Sequence, residues 1–164
     1  MIVVANAGPL IALAQIGQFH LLPKLYRRIH IPVAVRKEVV ASGGRRAGAA
    51  DVAAAEWIVV VTVQDSAAVQ LLRERLDLGE SEAIALALEL QADLLLIDEA
   101  RGRRVAEMQG LNRTGAVGTL LAAKEHGLLA AVTPWLDALQ ARGFRMDAQL
   151  YRAAQQLAGE DDGL

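Results

Sequence analysis

Four apolar residues, Leu94-Leu95-Leu96-Ile97, run without a break and stop at two acids, Asp98-Glu99. A strand this apolar must be covered on both faces, the condition found inside a parallel sheet flanked by helices. The run therefore points to an α/β chain and places two carboxylates at the C-terminal end of a buried strand. That is where open α/β sheets form their ligand crevice. A further acid, Glu80, opens the helix that feeds this strand.

The rest of the chain supplies matching units. Ile2 to Ala5 is a short β-like run ending at Asn6, and Pro9 suits the first turn of a following helix. A helical piece is expected over residues 19–26, a short strand over 28–31, and a helix opened by Pro32. The segment GGRRAGAA, with Arg45 and Arg46, reads as a mobile loop. Trp57 to Val63 is a β-branched strand, and Asp65 or Ser66 caps a helix through Leu76. A short strand over 111–114, a helix from Gly115 to about His126, and helices over 134–141 and 147–158 complete the pattern. Short strands alternating with helices indicate one α/β domain over residues 1–158, with a mainly parallel sheet and a polar tail over 159–164.

Composition narrows the function. With 17 basic and 19 acidic residues, the net charge of −2 argues against general DNA coating. It leaves room for a local basic groove, because arginines cluster as Arg45-Arg46 and around Arg101, Arg103 and Arg104. There are no cysteines, which excludes disulfides, thiolate metal sites and cysteine nucleophiles and suits a cytoplasmic protein. No apolar run reaches the roughly 18 residues that a membrane helix needs, and the N-terminus lacks a signal peptide's basic region. His20, His30 and His126 show no ligand spacing, no serine has an evident histidine partner, and no GxxxxGK phosphate loop is present. The missing phosphate loop disfavours a phosphoryl-transfer or flavodoxin-like protein.

The polar residues fall at comparable points. Asn6 ends the first strand, Asp98 ends the 94–97 strand, and Glu80 starts the helix before it. Glu38 lies about one and a half turns into the helix after Pro32, on the face shared by Val35 and Val39. Glu80 heads the face carrying Ala83, Ile84 and Ala87, so it is expected inward. Glu82 and Glu89 define a polar stripe expected to face solvent, with Glu82 as a helix-dipole or rim acid. Several acids turned into one cleft cannot all be ionised without a cation, and oxygen-only donors suit Mg²⁺ or Mn²⁺. Taken singly, each acid is as well explained as a helix cap or a surface residue.

The same segments resemble the PIN domain family, in its small prokaryotic, toxin-type branch. ANAGPLIALAQIG is similar to the family's opening strand and Pro-Leu-Ile turn, and IPVAVRKEVV to its second acidic element. LDLGESEAIALALE, LLLIDEARGRRVA and TGAVGTLLAAKEHGLL follow in the family's order across nearly the whole chain. The resemblance implies a three-layer α/β/α fold with a mainly parallel five-stranded sheet. It further implies an Mg²⁺- or Mn²⁺-dependent endoribonuclease acting on single-stranded RNA, commonly the toxin of a toxin–antitoxin pair. A cognate antitoxin and a homodimer are the partners it implies. By position, Asn6, Glu38, Glu80 and Asp98 become metal ligands with Glu99 adjacent, and Glu38, Glu80 and Asp98 the catalytic acids. Arg101, Arg104, Thr114, Arg45 and Arg46 are candidate RNA contacts, Thr114 through its hydroxyl beside a Gly-opened helix. On a helix, Arg101 and Arg104 share a face and Arg103 points elsewhere; that face serves either phosphate or solvent. The chain departs from the family at Asn6, where the usual residue is Asp. An amide keeps a coordinating oxygen but loses a charge, so a catalytically weak RNA-binding module is the alternative.

Overall fold

The computed structural model describes residues 1–40 and 47–161. Among them β1 (Val3–Ala5), β2 (Ile29–Pro32), β3 (Ile58–Val61), β4 (Leu94–Leu96) and β5 (Arg113–Thr114) form one sheet. Its order is β3-β2-β1-β4-β5, and every pairing is parallel. The strands alternate with α1 (Ala7–Gln15), α2 (Leu21–Tyr26), α3 (Val33–Val40), α4 (Ala49–Ala54), α5 (Ser66–Leu72), α6 (Leu78–Glu89) and α7 (Ala100–Met108). After β5 come α8 (Ala116–Glu125), α9 (Thr133–Ala141) and α10 (Ala148–Leu157). The arrangement is a three-layer α/β/α fold, as the family resemblance implies, with the parallel sheet that the alternating pattern predicts. The helix expected to run on to Leu76 ends instead at Leu72.

The central strands explain their own composition. Val3, Val4, Ala5, Leu95 and Leu96 have no exposed surface, because helices cover both faces of β1 and β4. α6 packs across β1, β2 and β4, while α8 packs against α1, α2 and β5. The chain moves outward from β1 to β2 and β3, then returns to place β4 on the other side of β1. Strand order thus reverses between β1 and β4, which opens a crevice at their C-terminal ends. Asn6 and Asp98 both lie at that crevice. The Asn6 N–H continues the ladder by donating to Leu96 O at 2.8 Å.

Glu89 is exposed, as expected of a solvent stripe, and Glu82 is half-buried at its edge; both also bind neighbouring segments. Glu82 Oε1 accepts the N–H of Ala34 at 3.1 Å in the first turn of α3. Glu89 Oε1 accepts the N–H groups of Gln64 and Asp65, at 2.9 and 2.6 Å. Both acids serve unpaired amides on neighbouring segments, a demand that a single-helix periodicity does not reveal.

The end of the chain is fastened in a similar way. Glu160 accepts the N–H of Val132 at 2.7 Å and of Thr133 at 2.9 Å, capping α9 from a distant segment. Lys124 Nζ donates to the same carboxylate at 2.8 Å and to Ala158 O at 2.6 Å. Burial pushes the Glu160 carboxyl up, but Lys124 and the two amides outweigh it and hold it at about 2. Glu160→Ala should cost about 2 kcal/mol at neutral pH, the scale of a lost cap with a charged bond. The stabilisation is present above the ordinary value of 4.5 and fades as pH falls toward 2. Urea unfolding of both proteins from pH 7 to pH 3 reads this directly. Equal midpoints at pH 7 would remove Glu160 from the fold's support.

Candidate functional site

The crevice beyond β1 and β4 is a cleft of about 860 Å³. Asn6, Glu38, Asp77, Glu80, Asp98 and Glu99 line it, so six oxygen-bearing side chains from five places in the sequence meet there. All five expected metal-site residues are brought to this one cleft. Their convergence can be located through Gly79, the second residue of α6. The point that a Cβ on Gly79 would occupy lies 3.6 Å from Asn6 Oδ1, 3.7 Å from Asp77 Oδ1 and 3.7 Å from Glu38 Oε1.

Asp98 is positioned by the start of α8. Its Oδ1 accepts the N–H of Ala116 at 3.0 Å, next to Gly115. A side chain on Gly115 would collide with that oxygen, so the glycine is required by close approach. Asp98 Oδ2 is buried and has no hydrogen-bond partner, and the same holds for Asn6 Oδ1. Glu80 is a buried acid in the first turn of α6, at the head of the face whose Ala83, Ile84 and Ala87 pack into the core. Its N–H donates to Asp77 Oδ1 at 2.8 Å. α7 comes close to Glu80 because residue 102 is glycine; a Cβ there would stand 3.3 Å from Glu80 Oε2 and 2.7 Å from Ile97 Cδ1. Glu38 and Glu99 are exposed at the rim.

These surroundings raise two carboxyl pKa values. Burial, the charges of Asp77 and Glu99, the Asp77 hydrogen bond and the Glu38 charge push Glu80 up to about 7. Burial lifts Asp98 to about 6; the Ala116 amide and the Arg103 charge oppose it, and Glu99 adds to it. The acids crowd one another, and the Arg103 charge offsets the crowding at Asp98 only in part. Among the described residues no three acidic or imidazole groups are gathered closely enough to form a ready metal site. The donors are nevertheless of the right kind for Mg²⁺ or Mn²⁺: hard oxygens, two of them buried and without partners.

Arginines flank the acids. Arg101 and Arg104 lie together, with Arg75, on a second groove of about 600 Å³ that shares Asp77, Glu80 and Glu99 with the main cleft. Arg103, expected to point elsewhere, lines the main cleft itself. α7 begins at the strand end, so its successive faces look into two adjoining grooves. Thr114 lines neither groove; its hydroxyl lies against Gly118 in α8. The Thr114 hydroxyl is thus directed to the helix that follows β5. Arg45 and Arg46 lie outside the described residues. The histidines are used structurally where bonds are present, His30 Nδ1 against Val3 O and His126 Nδ1 against Ala122 O.

Sequence reasoning missed Asp77, Arg103, Arg142, Phe144 and Arg145, all of which line the main cleft. Asp77 left a signal, an Asp-x-x-Glu spacing at a helix start that resembles a capping box. The last three sit in the turn after α9, and only the tertiary fold carries that turn to Asn6.

A family model described as a PIN domain matches residues 2–160. The chain belongs to the PIN domain family. PIN domains are generally nucleases and typically use divalent metals, so this PIN domain carries a nuclease-type fold. No curated protein matches the chain. Among the described residues no helix is long and apolar enough to cross a membrane.

The raised acids have a consequence for stability. Between pH 4.5 and about 7 the unfolded chain ionises Glu80 while the folded chain keeps it protonated. Stability from this group therefore falls as pH rises through that window, and Asp98 acts in the same direction. Glu80→Gln mimics the protonated acid and should raise unfolding stability by about 2 kcal/mol at pH 8 without divalent ions, at about 1.4 kcal/mol per pKa unit before relaxation. At pH 4 the gain should vanish. A variant no more stable than wild type at pH 8 would contradict the crowded-acid description.

Proposed function

We propose that this PIN domain is a cytoplasmic metal-dependent endoribonuclease that hydrolyses phosphodiester bonds of single-stranded RNA. The observation that carries the reading is the pair of buried, unpartnered oxygens, Asn6 Oδ1 and Asp98 Oδ2, beside the raised carboxyl of Glu80. Buried polar atoms are rarely left without partners, and a site of crowded acids gains most from a bound cation. Asn6, Glu80 and Asp98 would hold Mg²⁺ or Mn²⁺, with Glu38 acting directly or through water and Glu99 at the rim. When bound, the ion supplies positive charge for the phosphate and a nucleophile available at neutral pH. The protein's own part is to fix the carboxylates. Ala116 orients Asp98, Asp77 orients the first turn of α6, and Gly115 and Gly102 permit the close approach of α8 and α7. Arg103 beside Asp98 and the Arg75, Arg101 and Arg104 group beside Glu80 offer cations to the RNA backbone. The family resemblance extends the reading to a toxin paired with a cognate antitoxin protein, acting as a homodimer.

A second reading has its own observation. Asn6 contributes no charge, and the described residues hold no ready three-acid site. An RNA-binding module with weak or absent turnover follows from those two facts. One pair of variants separates the readings. Asp98→Asn should reduce Mn²⁺-dependent cleavage of single-stranded RNA to background, and Asn6→Asp should raise it by about tenfold or more through added ligand charge. Cleavage undiminished in Asp98→Asn would sink the nuclease assignment. RNA binding that survives EDTA, with no turnover even in Asn6→Asp, would establish the second reading.

A further inference from the structure

Part of the main cleft's lining is the turn between α9 and α10, and neither the acids nor their metal chemistry explains it. Arg142, Phe144 and Arg145 line the cleft from this turn, together with Ile11, Ala12 and Gln15 of α1. The turn is tightly specified. Arg142 N–H donates to Ala138 O and Leu139 O, Gly143 N–H to Gln140 O at 3.0 Å, and Phe144 N–H to Leu139 O at 3.0 Å. Gly143 takes a φ of +91°, the left-handed conformation that ends a helix and suits glycine. Phe144 is half-buried and packs against the core, which anchors the loop. Gln140 Nε2 donates to Met146 O at 3.2 Å and fastens the exit. The two arginines stand exposed on either side of this anchored ring, and among the described residues neither forms a salt bridge.

A preformed turn that presents cation, aromatic and cation toward a cleft suits a flexible polyanion with flat apolar groups. Single-stranded nucleic acid has that chemistry: phosphates attract arginines, and bases stack on aromatic rings whatever their identity. The groove of Arg75, Arg101 and Arg104 adjoins the cleft through Asp77, Glu80 and Glu99, which line both. The acids are therefore bordered by cationic residues in two adjoining grooves. We propose that the α9–α10 turn is a substrate subsite of the cleft, where Arg142 and Arg145 hold phosphates of a single RNA strand and Phe144 supports a base. The strand then runs from this turn across the acids to the second groove, and the turn fixes its position. This inference rests on the nucleic-acid substrate of the function proposed above and adds the residues that grip it on this side.

Binding, read apart from turnover, tests the subsite. A fluorescently labelled single-stranded RNA of about 12 nucleotides is titrated in Mg²⁺ against the Asp98→Asn protein, and anisotropy is followed over a salt series. Adding Arg142→Ala and Arg145→Ala should weaken binding by about tenfold. It should also make the slope of log affinity against log salt shallower by about 1.4, or about 0.7 for each phosphate contact on a single strand. Lysine at both positions should restore most of that slope. Phe144→Leu keeps an apolar anchor and should weaken binding by about tenfold with the slope unchanged, since it removes stacking and no charge. Arg152→Ala, on the exposed surface of α10, is the control and should alter neither quantity. Unchanged affinity in the double-arginine protein, or in Phe144→Leu, overturns the proposal. The two readings also fail separately. Wild type that binds through the turn yet never cleaves removes the nuclease function and leaves the subsite; wild type that cleaves while the turn variants bind normally does the reverse.

Discussion

Acids crowded at one end of the sheet, with Glu80 and Asp98 drawn away from water, form the constraint on which this structure depends. Glu38, Asp77, Glu80, Asp98 and Glu99 share one cleft, where the Ala116 amide and the Arg103 guanidinium offset the charge of Asp98. The sheet creates the problem, because the reversal of strand order between β1 and β4 directs both strand ends to the same crevice. Helices α6, α7 and α8 must then approach closely enough to hold the acids in place. Gly102 and Gly115 mark where they do so, each at a position where an ordinary side chain would meet another atom too soon. The raised Glu80 and Asp98 carboxyls follow from that crowding and from burial. Natural proteins accept such local conflict chiefly where function requires it.

Much of this frame was legible in the sequence for simple reasons. The run Leu94 to Ile97 can be buried only between two helical layers, and Asp98 must then lie at its end. The face shared by Glu80, Ala83, Ile84 and Ala87 turns Glu80 inward, and Glu80 is buried. Periodicity speaks about one element at a time, and what it leaves out follows from that. Glu82 and Glu89 lie on one polar stripe of α6, yet each satisfies amides on other segments. Arg103 departs from the face of Arg101 and Arg104 and still enters the cleft, because the helix lies between two grooves. Thr114 belongs to a strand too short for its direction to be set by alternation. The turn after α9 reaches the cleft only through the packing of the last two helices. No local pattern contains that information.

Asn6 holds a distinct place among these residues. Its backbone N–H continues the ladder into Leu96, which sets the point from which its side chain enters the cleft. An amide brings an oxygen there without a charge. With one fewer negative group than an aspartate would add, less repulsion must be overcome to fold the protein.

Glu160 carries a consequence that reaches to the cleft. It caps α9 and grips Lys124 of α8, and α9 leads directly into the turn that forms part of the cleft's lining. The residues that carry and orient the acids all lie between Asn6 and Ala116. The turn that completes the cleft's lining is fastened by a residue much later in the chain. Loss of the Glu160 contacts would therefore loosen one part of the groove without removing any acid from it.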